Sequence, residues 1–426
     1  MKLIAIALVM MATSPTMAQS ENGDITVDAQ MRARGEYRNG QGSLREEGAR
    51  PATFVNERVR LAIGWAKDNL SMKISSQHTG VYGDTPQTNK DGDITLNEAW
   101  AMMRFGDSGN FFGQLGRQVL SYDDERILGG LDWATTGRSH DALRLGYEDG
   151  TNTLHAILAY NQKAENHLDN DYTGNIAGYK TMQSLWYHYN SHSAVQASLL
   201  FMNLGLEGAD GNNHVTRCMQ TFGTHLAANA GDLNASLSAY YQTGRNQANQ
   251  KVGAYMIGAN VKYKMDSKWT IGIADDILSG NDDDTKSDEN HVFDVLYGTH
   301  HKFYGTMDFF NGAALRKRGL NDLNAMAAFK ASDKVDMSAT LHYFSSPNDI
   351  AYVDNGKEEK AKTLGSELDL QLNWKVQKFV TVQAGYSFMS ATKALNAVQG
   401  SGNYKSWQDW GWVSININPR LFTSRK

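Results

Sequence analysis

The sequence predicts an all-β chain, a transmembrane antiparallel up-and-down β-barrel of about 18 strands with short periplasmic turns and long extracellular loops. Three observations predict it. Apolar and polar residues alternate with a period of two in segment after segment. Tight turns alternate with much longer connections. An export-type N-terminus is followed by no apolar run of about 18–20 residues, the length a membrane helix requires. A chain that spans a bilayer without such helices must close into a barrel, because every backbone polar group needs an internal partner there.

At the N-terminus, Met1-Lys2 is a short positive region, Leu3 to Ala12 is an apolar core, and Thr16-Met17-Ala18 places small residues before Gln19. Residues 1–18 therefore read as a signal peptide. Residues 19–426 read as a single outer-membrane barrel domain, with no linker or low-complexity tract inside it. The first mature strand sorts Ile25, Val27, Ala29, Met31, Ala33, Gly35 and Tyr37 onto one face and Thr26, Asp28, Gln30, Arg32, Arg34, Glu36 and Arg38 onto the other. A helix would scatter those polar residues around its circumference. Near the C-terminus Val413, Ile415 and Ile417 oppose Ser414, Asn416 and Asn418 in the same way.

Segments of this kind lie near 24–38, 54–67, 69–79, 93–106, 110–120, 139–148, 151–162, 179–190, 193–203 and 217–230. They continue near 233–244, 251–265, 268–279, 320–331, 333–346, 362–376, 378–391 and 405–418. Turns such as Lys67-Asp68-Asn69, Glu148-Asp149-Gly150, Gly231-Asp232 and Gln377-Lys378 are short, whereas the intervening connections are mostly long. Aromatic residues mark strand ends: Tyr37, Trp65, Phe105, Tyr147, Tyr160, Tyr189, Tyr263, Trp269, Tyr343, Trp374, Phe379 and Phe422. A soluble sandwich also alternates, but an interfacial girdle with few charges between its rings points to a membrane. The longest connection, roughly 280–319, is expected to be an extracellular loop, a candidate to fold inward as a constriction.

Composition excludes other classes. The chain has 426 residues with 5 Pro and 40 Gly, plus 15 Phe, 9 Trp and 19 Tyr. Its mean hydropathy of −0.50 is too polar for a helical membrane protein. A net charge of −5 and pI near 6.2 give no basic surface for nucleic acid. The lone Cys218 cannot form an internal disulfide.

Arginine placement carries the functional signal. Twelve of the 18 arginines precede residue 145. Arg32, Arg34, Arg38, Arg58, Arg60, Arg104 and Arg144 fall on polar strand faces, which a barrel turns into its lumen. A basic lumen selects anions, and guanidinium forks suit the carboxylates of sugar acids. The competing reading is charge-balanced packing against Glu36, Glu57, Glu98, Glu367 and Asp369. A second constellation runs from Leu115-Gly116-Arg117-Gln118 through Tyr122-Asp123-Asp124-Glu125-Arg126 and Asp132-Trp133 to Arg138-Ser139-His140-Asp141. Its Gly, Arg and Asp content predicts a structured loop returning into the barrel. A third lies at 299–308.

The run from Leu115 to Asp141, together with His301-Lys302-Phe303-Tyr304-Gly305 and Asp308, resembles the alginate-export family of outer-membrane porins. The resemblance implies an 18-stranded barrel whose electropositive lumen conducts anionic polysaccharide. It implies that Arg117, Gln118, Asp124, Arg126, Asp132, Trp133, Arg138, Asp141, His301, Lys302 and Asp308 line or shape the pore. The acidic stretch 281–290 and the Thr-Ser-Arg-Lys tail after Phe422 depart from the family pattern.

Other chemical-looking signals carry less. In Ser139-His140-Asp141 neighbouring side chains on a strand diverge, so no hydrolytic relay forms. His300-His301 lacks metal-ligand spacing, Asp282–Asp284 lacks the spaced acids of a calcium loop, and no nucleotide fingerprint is present. The sequence thus predicts a non-enzymatic outer-membrane channel without cofactor. Its expected partners are anionic polysaccharide or oligosaccharide, outer-membrane lipid and periplasmic export components. A weakly selective uptake porin is the nearest alternative, followed by a barrel-borne lipase or acyltransferase and a plugged adhesin.

Overall fold

The computed structural model describes residues 23–88, 93–168, 178–211, 213–312 and 316–425, so the expected signal peptide at 1–18 lies outside the described residues. Alternation does in space what it implies in sequence: consecutive segments pair edge to edge until the last meets the first. The wall begins with β1 (Asp24–Asn39), β2 (Ala52–Lys67), β3 (Leu70–Val81), β4 (Thr95–Phe105), β5 (Phe111–Gln118) and β6 (His140–Glu148). It continues with β7 (Asn152–Tyr160), β8 (Thr181–Asn190), β9 (Val195–Asp210), β10 (Asn213–Ala230), β11 (Leu233–Arg245), β12 (Lys251–Lys264) and β13 (Trp269–Leu278). A two-residue strand, β14 (Glu289–Asn290), lies parallel against the start of β12. Then come β15 (Leu320–Lys330), β16 (Val335–Asp354), β17 (Lys357–Gln377), β18 (Val380–Ala391) and β19 (Gln408–Ile417).

All neighbouring wall strands are antiparallel, and β19 pairs with β1 from Met31↔Ile417 to Asn39↔Asp409. The result is a closed barrel of 18 strands, as the sequence predicts. Closure leaves no sheet edge for lipid to face, which is what a bilayer demands. Four strands run past the expected ends: the hairpins β9–β10 and β16–β17 stand well above the long-loop rim. After Pro419 the chain resumes pairing with β1 as β20 (Arg420–Thr423), where Val27 faces Phe422. Arg425 then bonds Asp24 at 2.5 Å, so the unusual tail stays pinned to the wall.

The outer face is the apolar one. Leu61, Ile63, Ile74, Leu145, Leu185, Leu199, Ile257, Ile273, Leu341 and Ile415 all lie exposed on it. Rings border this band at both ends. Phe105, Phe111, Tyr263, Trp269, Trp374 and Phe422 sit near the short turns, and Tyr37, Tyr160, Tyr241, Tyr343 and Tyr386 sit toward the long loops. These belts place the barrel in the outer membrane. One short helix, α1 (Lys393–Gln399), caps the rim; its N-terminus is closed by Thr392 and its C-terminus by Gly400 at φ 77°.

Candidate functional site

Two long connections turn into the lumen instead of outward. The first inner segment (119–139) joins β5 to β6, and the second (279–319) joins β13 to β15. Lumen-facing side chains on both sides of the ring hold the first. Trp186 of β8 donates Nε1–H to both oxygens of Asp123 at 3.1 Å, and Ser198 of β9 donates to the same carboxylate at 2.5 Å. Ser238 of β11 donates to Asp124 at 3.0 Å. Across the barrel, β1, β2 and β3 grip residues 132–136. The first segment therefore crosses the pore from wall to wall.

The opposite grip is made by arginines. Arg32 donates through Nη1 to the Asp132 carbonyl (2.6 Å) and through Nη2 to those of Trp133 (3.2 Å) and Ala134 (3.0 Å). Arg34 donates to the Trp133 carbonyl at 2.9 Å and to Glu36 at 2.8 Å. Arg58, fully buried, pairs with the Asp132 carboxylate at 2.7 Å. Arg60 bonds the side-chain oxygens of Gln77 and Asn97 (2.7 and 3.0 Å), and Gln77 in turn donates to the Thr136 carbonyl. Arg38 closes the ladder on Glu36 at 2.8 Å. Carbonyl and amide oxygens take most of these donors without cancelling their charge, while Nε of Arg32 and Nε of Arg58 have no partner among the described residues. Along this arc Arg32, Arg34, Arg38, Arg58 and Arg60 face two carboxylates, Glu36 and Asp132, while Glu98 is engaged by Lys73.

The two inner segments zip together at mid-lumen. Gly129 donates to the Tyr297 carbonyl, Tyr297 to that of Ile127, and Thr299 to that of Glu125. Gly298 has no room for a side chain there, since a Cβ would lie 2.2 Å from the Arg126 carbonyl oxygen. Arg126 binds Asp124 and Asp276 at 2.8 Å each and lies over the Phe303 ring. Burial opposes its charge, but Asp276, Tyr304 and Asp124 outweigh burial and hold the guanidinium protonated. Trp133 stacks on His301 at 4.2 Å, under Arg34 and edge-on to Trp412, and His301 bonds Asp308 at 2.8 Å. Lys302 reaches the Asp124 carbonyl at 3.0 Å.

The second segment docks on β17 and β16. Thr306 donates to Asp369 through its backbone N–H and its hydroxyl, and Met307 donates to Glu367. His342 bridges Asp322 (2.8 Å) and Asp369 (3.4 Å). Beneath these contacts Phe293, Val295, Tyr304, Met307, Phe309 and Phe310 form a buried apolar core inside the barrel. Its wall side is made by lumen-facing Leu200, Met202, Met256, Leu278 and Phe344. Backbone strain gathers here as well. Asp123, Glu125, Leu131, Leu296, Tyr304 and Asp308 all have φ between 48° and 70°, a conformation that persists only where surroundings enforce it.

The remaining sequence-predicted positions divide clearly. Arg104 and Arg144 face the lumen, bonded to Glu148 (3.0 Å) and Gln114 respectively. Arg138 donates to the Gly298 carbonyl at 2.8 Å. Gln118 is buried and bonds the Gly116 and Ala142 carbonyls, so it shapes the wall. Arg117 and Asp141 must be corrected: they share the outward parity of Phe111, Leu115 and Leu145 and pair with each other at 3.0 Å on the outer face. Glu57 points outward too, toward His78, and Glu367 and Asp369 serve the second segment and His342 in place of arginines. Sequence reasoning missed Asp276, Trp410, Lys262 and Arg316 as lumen residues. The first three sit at lumen parity on strands, where alternation alone could have placed them.

A closed 18-strand barrel with aromatic belts and inward-folded loops defines an outer-membrane channel of the porin type. The sequence profile of the alginate-export family matches residues 24–409, and the chain belongs to that family. Solved barrels share its fold. OccAB1 of Acinetobacter baumannii superposes with a TM-score of 0.64 at 11% identity, covering 93% of this chain and 97% of that one. OccAB4 of the same organism gives 0.63 at 11% identity, with 94% and 98% covered. OpdK of Pseudomonas aeruginosa, crystallised with vanillate, gives 0.59 at 10% identity, with 93% and 99% covered. No curated protein matches the sequence. The family and the fold are those of channels.

Proposed function

We propose that this channel passes anionic solutes, acidic saccharides such as alginate or uronate oligomers, through a constriction made by the two inner segments. The observation that carries this reading is the imbalance along β1 and β2, five guanidiniums against Glu36 and Asp132. Their hydrogen bonds go largely to neutral oxygens, so a positive potential persists where the lumen is narrowest. Lys262 of β12 adds to it from the opposite wall, in the field of Lys302. Around much of the periplasmic half the lumen is polar but uncharged, with Ser338, Thr340, Gln371, Asn373, Gln383 and Asn416 at lumen parity. Hydroxyl and amide groups of this kind suit a hydrated sugar chain. That OpdK was crystallised with vanillate, a small carboxylate, accords with the reading.

The test is swelling of proteoliposomes in iso-osmotic solutes. Glucuronate should enter faster than glucose of similar size, and glucosamine more slowly than either. The double variant Arg60→Gln, Lys262→Gln should narrow the difference. Arg60 has only neutral partners, so its removal strands no acid. Equal entry of the three solutes would overturn anion preference.

A further inference from the structure

The second inner segment is seated on a row of ionisable side chains. Asp276 of β13 lies opposite Asp322 of β15, and His342 of β16 lies opposite Glu367 of β17, two places from Asp369 on the same face. All five are buried. Arg126 of the first inner segment pairs with Asp276 at 2.8 Å. Among the described residues no lysine or arginine pairs with Asp322, Glu367 or Asp369, and the cation they share is His342. Asp322 Oδ2 and Glu367 Oε2 have no hydrogen-bond partner among those residues either.

The placement of the ring fixes its charge. Nδ1 lies 2.8 Å from Asp322 Oδ1 and Nε2 lies 3.4 Å from Asp369 Oδ2, while Phe344 stacks on the ring at 5.4 Å. A neutral imidazole has one donor nitrogen and one acceptor, so it would turn a lone pair toward one of the two carboxylates; only the imidazolium presents N–H to both. The same acids carry the inner segment. Asp369 accepts the Thr306 N–H (3.2 Å) and hydroxyl (2.5 Å), and Thr306 Oγ1 lies 2.8 Å from Ser387 Oγ. Met307 donates its N–H to Glu367 at 2.8 Å, and a Cβ on Gly305 would come within 2.7 Å of that carboxyl. Residues 305–307 thus rest directly on the acids beside His342.

We propose that His342 is a positioning residue for the constriction: its imidazolium neutralises the carboxylates on which residues 305–307 dock, and loss of its proton releases the second inner segment and widens the pore. While the ring is charged, Asp322 and Asp369 each lie beside a cation. Once it is neutral, docking buries both with no cation among their partners, which is the costly state of a broken buried pair. Undocking admits lumen water to them, and water replaces the Thr306 and Met307 donors at modest net loss. Docking is therefore favoured while the ring holds its proton and is lost as pH rises far enough to remove it. One proton is released, so the ratio of docked to undocked segment falls by at most about tenfold per pH unit. The switch operates whatever solute passes.

Single-channel recording of the full-length protein in a planar bilayer, with both sides titrated from neutral to strongly alkaline pH, tests it. Heat-modifiable electrophoretic mobility confirms that each variant is folded. Wild-type conductance should rise toward alkaline pH along a curve no steeper than one proton allows. His342→Gln should conduct at neutral pH as wild type does at the alkaline end, and should lose that rise. Adding Asp322→Asn to His342→Gln removes the acid that does not touch the segment, and should return neutral-pH conductance most of the way to wild type. A ring that served only as packing would give no such rescue, and its absence would overturn the proposal. Ring nitrogen-15 resonances of histidine-labelled protein read the charge itself: at mildly alkaline pH an imidazolium signal should be present in wild type and missing in His342→Gln. If neither variant folds, the wild-type conductance profile and the wild-type imidazolium signal decide. A flat profile, a missing signal, or a His342→Gln channel with wild-type pH dependence would each overturn the proposal.

Discussion

Replacing Arg32 by Met should loosen the first inner segment and widen the pore. One guanidinium makes three bonds there, to the carbonyls of Asp132, Trp133 and Ala134. A bond from a charged donor is worth about 1.5–3 kcal/mol. The three do not add, because the freed carbonyls hydrate from the lumen and because removing Arg32 relieves its repulsion with Arg58, Arg34 and Arg60. A net loss of about 2 kcal/mol is the reasonable expectation, which shifts docked against undocked segment about 30-fold. Adding Arg58→Met removes the Asp132 pair as well. Since Asp132 is mostly exposed it can rehydrate, so the double change reaches about 4 kcal/mol, nearly a thousandfold. Single-channel recording reads this directly. Arg32→Met should raise mean conductance or open-channel noise, and the double variant should raise it further. Folded variants with wild-type conductance and noise would refute the claim that these arginines hold the constriction closed.

Gly298→Ala should disrupt the junction between the two inner segments, because the new methyl meets backbone that cannot yield. Faster limited proteolysis within 119–139 would report it. Trp133→Leu removes the His301 stack and the Arg34 contact, together worth about 1–3 kcal/mol, and should increase open-channel noise. Leu341→Arg on the lipid face should destabilise the barrel by about 2–4 kcal/mol in urea unfolding, whereas Thr340→Arg, its lumen neighbour, should cost little. For His300 the pKa is lowered in the docked state, so the undocked state binds the proton more readily between about 6.5 and 4. Docking stability from this residue is complete above that window and lost as pH falls through it. Amide exchange of 295–300 should accelerate on acidification in wild type and less so in His300→Gln, whose Arg138, Arg316 and Asp308 neighbours are unchanged.

Much of the fold is legible in the sequence because period two leaves a mark wherever one face meets lipid. The run from Ile25 to Arg38 sorts cleanly, and its observed faces follow that sorting. The lumen is less legible because its apolar parts break the alternation. Leu199-Leu200-Phe201-Met202 is apolar on both faces, lipid outside and the packed inner segments inside. Such runs are the signal that something fills the barrel. The inner segments have no period of their own, so their path across the pore depends on contacts between distant residues, such as Arg32 with Trp133 and Asp369 with Thr306. Arg117 was misplaced for a simpler reason: a charged residue at outward parity near a strand end can pair with a neighbour, here Asp141, and remain on the outer face.

In the proposed reading a basic arc at the constriction sets what passes. The reversal potential of the wild-type channel in a planar bilayer under a potassium chloride gradient tests it most directly. A basic constriction gives a potential of the sign carried by chloride, moving toward zero in Arg60→Gln, Lys262→Gln. A potential of the cation's sign, or one that the double variant leaves unmoved, would contradict it.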